Sequence, residues 1–152
     1  MSTLRVTGVP DRVDRRLPPF DSQPRVWLHG EVTTTDPRPR ILPGTDGGAR
    51  VDGRRCLVCG EPTAFPWPVC PACGGAVEPA EFGPLGTVWS ATVVRIPVPG
   101  RTPPYGLAYV DLDDGPRILA HVAGADRGVP IGARVRLLAA DGDGDPRVEV
   151  VR

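Results

Sequence analysis

From Leu85 to the end of the chain, apolar and polar residues alternate in short runs separated by glycine-marked turns, the two-residue period of β-strands. The runs predict five strands: Leu85–Ile96, Tyr105–Leu112, Arg117–Val122, Ala133–Ala139 and Arg147–Val151. Asp113-Asp114-Gly115 reads as a hairpin turn, Gly124–Gly132 as a longer connection, and Asp141–Asp145 as a second tight turn. Alternation is cleanest late in the chain. Ile118, Ala120 and Val122 share one face, as do Val135, Leu137 and Ala139, and Val148 and Val150, while Arg134, Arg136 and Glu149 point outward. Five strands with a longer link between the third and fourth predict a small barrel of the OB type over residues 84–152.

Upstream the pattern is less regular. In residues 51–83, Phe65, Trp67 and Val69 alternate as a strand with one face on a small core would, although Pro62, Pro66 and Pro68 restrict it to an edge or irregular strand. Glu78–Pro84 reads as a link to the barrel. Residues 1–50 hold seven prolines and eight arginines without a long periodic segment. Within them Arg25–Val32 could form a short strand, Pro37–Pro43 reads as extended polyproline-like chain, and Gly44–Gly48 as a flexible break. This N-terminal arm is either a partly disordered tail or a docking segment anchored by Phe20, Trp27 and Ile41.

Composition narrows the class. At 152 residues the chain makes one domain or two small ones, and 20 prolines with 19 glycines leave few segments able to hold a helix. The expectation is a mainly β protein. All 18 basic residues are arginine, yet the formal net charge is zero, so no global basic field advertises nucleic acid. The arginine, proline and glycine excess has the look of a GC-rich coding bias. No apolar run is long enough for a membrane span and no charged-then-apolar leader is visible, which predicts a soluble, cytoplasmic protein.

The strongest chemical signal is the cysteine set. Cys56-Leu57-Val58-Cys59-Gly60 and Cys70-Pro71-Ala72-Cys73-Gly74 contain all four cysteines, in two Cys-x-x-Cys pairs ten residues apart. A two-residue gap lets one turn aim both thiolates at a point, and two such turns close a tetrahedron around Zn²⁺. Glycine after each pair permits the positive φ such a turn needs. Disulfides, a redox Cys-x-x-Cys and an iron–sulfur cluster are the competing readings. They are set against the missing leader, the missing βαβ pattern and the paired turns respectively. Four thiolates leave no open coordination position, so the predicted metal is structural: one Zn²⁺ per chain, held by Cys56, Cys59, Cys70 and Cys73 in a rubredoxin-like zinc ribbon.

Taken together, Arg55-Cys56-x-x-Cys59-Gly60, Cys70-Pro71-x-Cys73-Gly74, Gly86-Thr87-Val88-x-Ser90-x-Thr92, Pro103-Pro104-Tyr105, Val110-x-Leu112-Asp113-Asp114-Gly115 and Ile131-Gly132 resemble the two-part zinc-ribbon/OB-fold proteins that accompany thiolase-like enzymes. The resemblance spans roughly residues 51–151. It implies a non-catalytic accessory subunit in a hetero-oligomer with a thiolase, a thiolase-like aldolase, an acyltransferase or a hydroxymethylglutaryl-CoA synthase, and help in shaping the acyl-CoA site. Family members often enter the ribbon from helices bearing aromatic residues, whereas residues 1–50 are broken by proline. Within this reading Trp27 is a candidate partner anchor. Arg101 and Tyr105, in the stiff loop after the first barrel strand, are candidates for touching the partner or coenzyme A phosphates.

The remaining motifs point to no catalyst. Asp141-Gly142-Asp143-Gly144-Asp145 starts like a calcium loop, but Pro146 replaces the required glycine and Arg152 the bidentate glutamate, leaving a solvated hairpin turn. His121 is expected on the strand face opposite Ile118 and Ala120, as a surface or interface residue, and Ser90 lacks a nucleophile-elbow context. The alternative function is a single-stranded nucleic-acid module using Trp89, Tyr105 and Tyr109 as stacking platforms. Eight arginines against eight acidic residues from Leu85 to Arg152 weigh against it.

Overall fold

A computed structural model of the chain describes residues 36, 38–45 and 48–151. The expected strand at Arg25–Val32 and the candidate anchors Phe20 and Trp27 lie outside the described residues. Among those described there is no helix, and nine strands form two sheets.

The first sheet is built on β2 (Ala49–Cys56), with β1 (Arg40–Pro43) and β3 (Pro62–Thr63) along one edge and β4 (Val77–Phe82) along the other, all antiparallel. Three expectations are corrected here. Arg40–Pro43 is not polyproline-like chain but a strand paired to Ala49–Asp52, because Ile41 packs on the core and the Gly44 amide closes the turn on the Gly48 carbonyl. Phe65, Trp67 and Val69 form no strand, since Pro66 and Pro68 have no N–H to donate, and Trp67 and Val69 stay exposed. The link over Glu78–Pro84 is largely β4, and it ends on Phe82, which is fully buried.

The second sheet is a closed barrel of β5 (Leu85–Val94), β6 (Tyr105–Leu112), β7 (Arg117–Val122), β8 (Arg134–Leu138) and β9 (Arg147–Val150), in the order β5-β6-β7-β9-β8. All pairings are antiparallel except β7–β9, and that parallel pair requires the chain to cross over through β8. This is the OB-like topology the strand pattern predicted. Val88, Val110, Ile118, Val135, Leu137 and Val148 fill the interior. Two expected inward residues are not core: Ala139 lies past the end of β8, and Val150, although paired with Val135, is exposed at the end of β9.

Ribbon and barrel share one hydrophobic cluster, in which Ala49, Val51, Ala64 and Phe82 continue into the barrel residues. Phe82 is the hinge of that continuity. Arg55 lies 5.1 Å over its ring, and a Cβ on Gly115 would come within 2.6 Å of Phe82 carbons, so only glycine lets the β6–β7 turn sit on it. Arg55 also donates to the Asp114 carbonyl at 2.7 Å, and the Leu137 amide donates to the Pro84 carbonyl at 2.7 Å. The ribbon is thereby fixed to the barrel rather than tethered to it.

Candidate metal centre and the outer groove of the barrel

The two cysteine turns have the same backbone construction. β2 ends at Cys56, whose carbonyl accepts the Gly60 amide at 3.1 Å, and Gly60 sits at φ 78°. Cys70 repeats this with Gly74, at 2.8 Å and φ 73°. Side chains are strained at such angles, which is why glycine follows each pair. The Leu57 amide donates to the Ala76 carbonyl at 2.9 Å, bringing the turns face to face. All four sulfurs then lie within 4.8 Å of one another, with Cys56–Cys73 at 3.6 Å and Cys59–Cys70 at 3.7 Å. A tetrahedron with metal–sulfur bonds of about 2.3 Å has sulfur–sulfur edges of about 3.8 Å. The cluster fits a metal ion, and these distances are far too long for disulfides.

The electrostatics agree. Amides of Cys59 and Val58 donate to the Cys56 sulfur and hold its pKa down at about 6. For Cys59 the Glu61 amide acts in the same sense, but the sulfurs of Cys73 and Cys56 together with burial outweigh it and push the thiol up to about 12. The Gly75 amide likewise lowers Cys73, yet crowding by Cys56 and Cys70 leaves it raised. Four sulfurs this close cannot all be anionic without a cation among them. A metal held by all four sulfurs would have no open position for a reacting water.

The second feature is a groove of about 790 Å³ on the outer wall of the barrel, over the β6–β7 hairpin and bordered by the β5–β6 and β8–β9 loops. Tyr105, Leu107, Tyr109, Leu119 and His121 form its floor. Cross-strand pairing sets Leu107 beside His121 and Tyr109 beside Leu119. The β5 register shifts between Val88 and Ser90, and this bulge carries Trp89, whose ring meets Tyr109 edge-on at 6.3 Å.

Arg101 and Tyr105, both singled out in the sequence, come together here. Tyr105 lies 5.4 Å from the His121 ring. Arg101 ties the two bordering loops: it donates to Asp141 at 2.6 Å and also bonds Asp145, with Asp143 at 3.7 Å. A phosphate would have to compete with these carboxylates for the guanidinium. The acidic turn is accordingly more than a solvated hairpin. Asp141 accepts the Asp143 and Asp145 amides at 3.0 and 2.9 Å with one oxygen and Arg101 with the other. Burial raises the Asp141 carboxyl, but Arg101 and the two amides outweigh it and hold the group below the ordinary range. Asp141 in turn raises Arg101.

His121, expected on the outer face, is there but only partly exposed. Its Nε2 is 3.6 Å from Asp145. Burial, then Arg101, lower its pKa against the opposing pull of Asp145 and Asp141. The loop-to-loop ion pair was not anticipated, whereas Trp89, Tyr105 and Tyr109, named from the sequence as stacking platforms, do fall on one outer face, Trp89 against Tyr109 and Tyr109 with Tyr105 in the groove. A signal for that face stood in β6, where Tyr105, Leu107 and Tyr109 are apolar on the same strand whose other face carries Ala108, Val110 and Leu112.

Comparison with known proteins follows the same outline. The family described as "ChsH2, C-terminal OB-fold domain" matches residues 80–140. A curated relative from Pyrococcus furiosus, named a DUF35 domain-containing scaffold protein, is 41% identical over 58 residues, 36% of this chain and 43% of the relative. The chain thus spans less than half the length of that relative. Among solved structures, the Ltp2-ChsH2(DUF35) aldolase matches with a TM-score of 0.55 and 31% identity, covering 66% of this chain and 84% of that one. A DUF35 protein of unknown function from Sulfolobus solfataricus, 21% identical with a TM-score of 0.52, covers 67% of this chain and 76% of its own and shares the fold. With its cysteine cluster, closed OB-like barrel and these likenesses, the chain belongs to the ChsH2/DUF35 family of OB-fold proteins.

Proposed function

We propose that this chain is a non-catalytic accessory subunit that binds a thiolase-like enzyme, such as a thiolase, aldolase, acyltransferase or hydroxymethylglutaryl-CoA synthase. It holds a hetero-oligomer together in the cytoplasm and helps form the partner's acyl-CoA site. The observation that carries this reading is the 31% identity to the Ltp2-ChsH2(DUF35) aldolase structure, over 84% of the matched chain. The scaffold name of the curated relative supports it. In this reading Cys56, Cys59, Cys70 and Cys73 hold one structural Zn²⁺, which supplies folding free energy to a ribbon too small to be held by burial alone.

The test is affinity capture of tagged, full-length protein from its native lysate, at moderate salt after nuclease treatment, with mass spectrometry of what is retained. A stoichiometric thiolase-fold protein is the expected result. Recovery of nucleic-acid machinery, or of bait alone, would overturn the reading.

A further inference from the structure

The outer wall of an antiparallel barrel normally faces water and reads polar at every second position. Over β6 and β7 that rule fails. Tyr109 and Leu119, 46% and 45% exposed, adjoin Tyr105, Leu107 and His121 in one groove, and Trp89, 52% exposed, borders it through its edge-on contact with Tyr109. Contiguous exposed aromatic and aliphatic surface of this kind marks a binding site rather than a solvated wall.

Charge defines what fits. Each arginine on the rim is already matched. Arg117 is bidentate to Asp111 at 2.6 and 3.0 Å and stacks 3.8 Å over Trp89. Arg101 is held by Asp141 and Asp145, and Arg38 by Asp36 and Asp145. The lowered pKa of His121 keeps it neutral near pH 7. An anionic ligand would have to break these pairs and would be repelled by Asp143, and a basic peptide would find only that carboxylate, 69% exposed and already 3.7 Å from Arg101, at one edge of an apolar floor. Shape adds a second limit. The floor from Tyr105 to Tyr109 follows four strand steps, about 14 Å, and Pro39, Ala64 and Phe65 add an apolar wall from outside the barrel. That suits several residues of extended chain better than a compact small molecule.

We propose that the β5–β6–β7 outer face is the docking surface for the partner enzyme, and that its occupant is an uncharged, apolar extended segment of that protein seated across Trp89, Tyr109 and Leu119. This rests on the accessory-subunit reading and names the face it uses. Stacking on the aromatics and burial of Leu119 supply the affinity, and the matched rim makes association only weakly salt-dependent.

Photo-crosslinking in the complex tests it. p-Benzoylphenylalanine replaces Leu119 in one full-length variant and Glu149, on β9, in another, and each is irradiated in its native host. The crosslinked peptide is then sequenced. The expected result is a crosslink from position 119, and not 149, to a partner-enzyme segment of about six residues without charged side chains, abolished by adding Trp89→Ala. Crosslinks to nucleic acid, to a second copy of this chain, to a charged segment, or none at 119 would each overturn the proposal. If the enzyme co-purifies but crosslinks only from 149, this inference falls while the accessory-subunit reading stands. If no thiolase-fold enzyme co-purifies, that reading falls first. Leu119→Asp provides a second measure: complex yield should drop at least tenfold with an unchanged circular dichroism spectrum.

Discussion

Arg101 and Asp141, forty residues apart in the chain, meet at 2.6 Å and join the β5–β6 loop to the β8–β9 loop beside the outer groove. In OB folds these are the loops that border the ligand face. Here the ion pair removes the cation that an anionic ligand would use and fixes one end of an otherwise open surface.

Arg101→Ala should free the two loops while leaving the barrel folded. The cost should be about 1 kcal/mol, since the pair lies near the surface and solvent screens it. Urea denaturation would read the stability. Backbone exchange rates at Val98–Arg101 and Asp141–Asp145 should rise while those in β6 stay unchanged.

His121 should titrate below its ordinary 6.5, because burial and Arg101 both disfavour the imidazolium. A base whose folded-state pKa is depressed stabilises the fold fully above 6.5, and that contribution is lost as pH falls through the folded value. An NMR titration of the imidazole, assigned with His121→Gln, would show the midpoint. In Arg101→Ala the midpoint should move upward; a downward move would contradict the geometry.

Removing metal should unfold the ribbon. One zinc per chain is expected by native mass spectrometry, and Cys59→Ser should lose it. Protons compete for the thiolates, so apparent zinc affinity should fall steadily from pH 8 to pH 5. A Cys59→Ser protein that retained one equivalent and its ribbon fold would rule out the four-thiolate site.

Phe82→Ala should cost about 3–5 kcal/mol, the range for emptying a fully buried aromatic site. Because Phe82 belongs to the core shared by both sheets, its loss should also separate their unfolding. Calorimetry would show two transitions where the parent shows one. Gly115→Ala, which drives a methyl into the same ring, should destabilise in the same direction.

The cysteine cluster and the barrel were legible in the chain because their signals are local. Cys-x-x-Cys-Gly specifies its own turn, and the spans Tyr105–Leu112 and Arg117–Val122 follow directly from alternation and the Asp-Asp-Gly turn. Prolines misled where they sat at strand ends. Arg40–Pro43 pairs with β2 because pairing needs only some of the N–H groups, a fact set by the partner strand and not by composition.

What the sequence by itself determined was every feature made by residues within a few positions of each other: the sulfur-bearing turns, the strand spans and the inward-facing core of β7, Ile118, Ala120 and Val122. Tertiary structure alone decided which distant charges and faces met. It spent Arg101 on Asp141 and Asp145, set Phe82 between two sheets, and placed Trp89 on a bulge beside Tyr109. These depend on barrel closure and strand register, which align residues tens of positions apart, and no local pattern encodes that alignment.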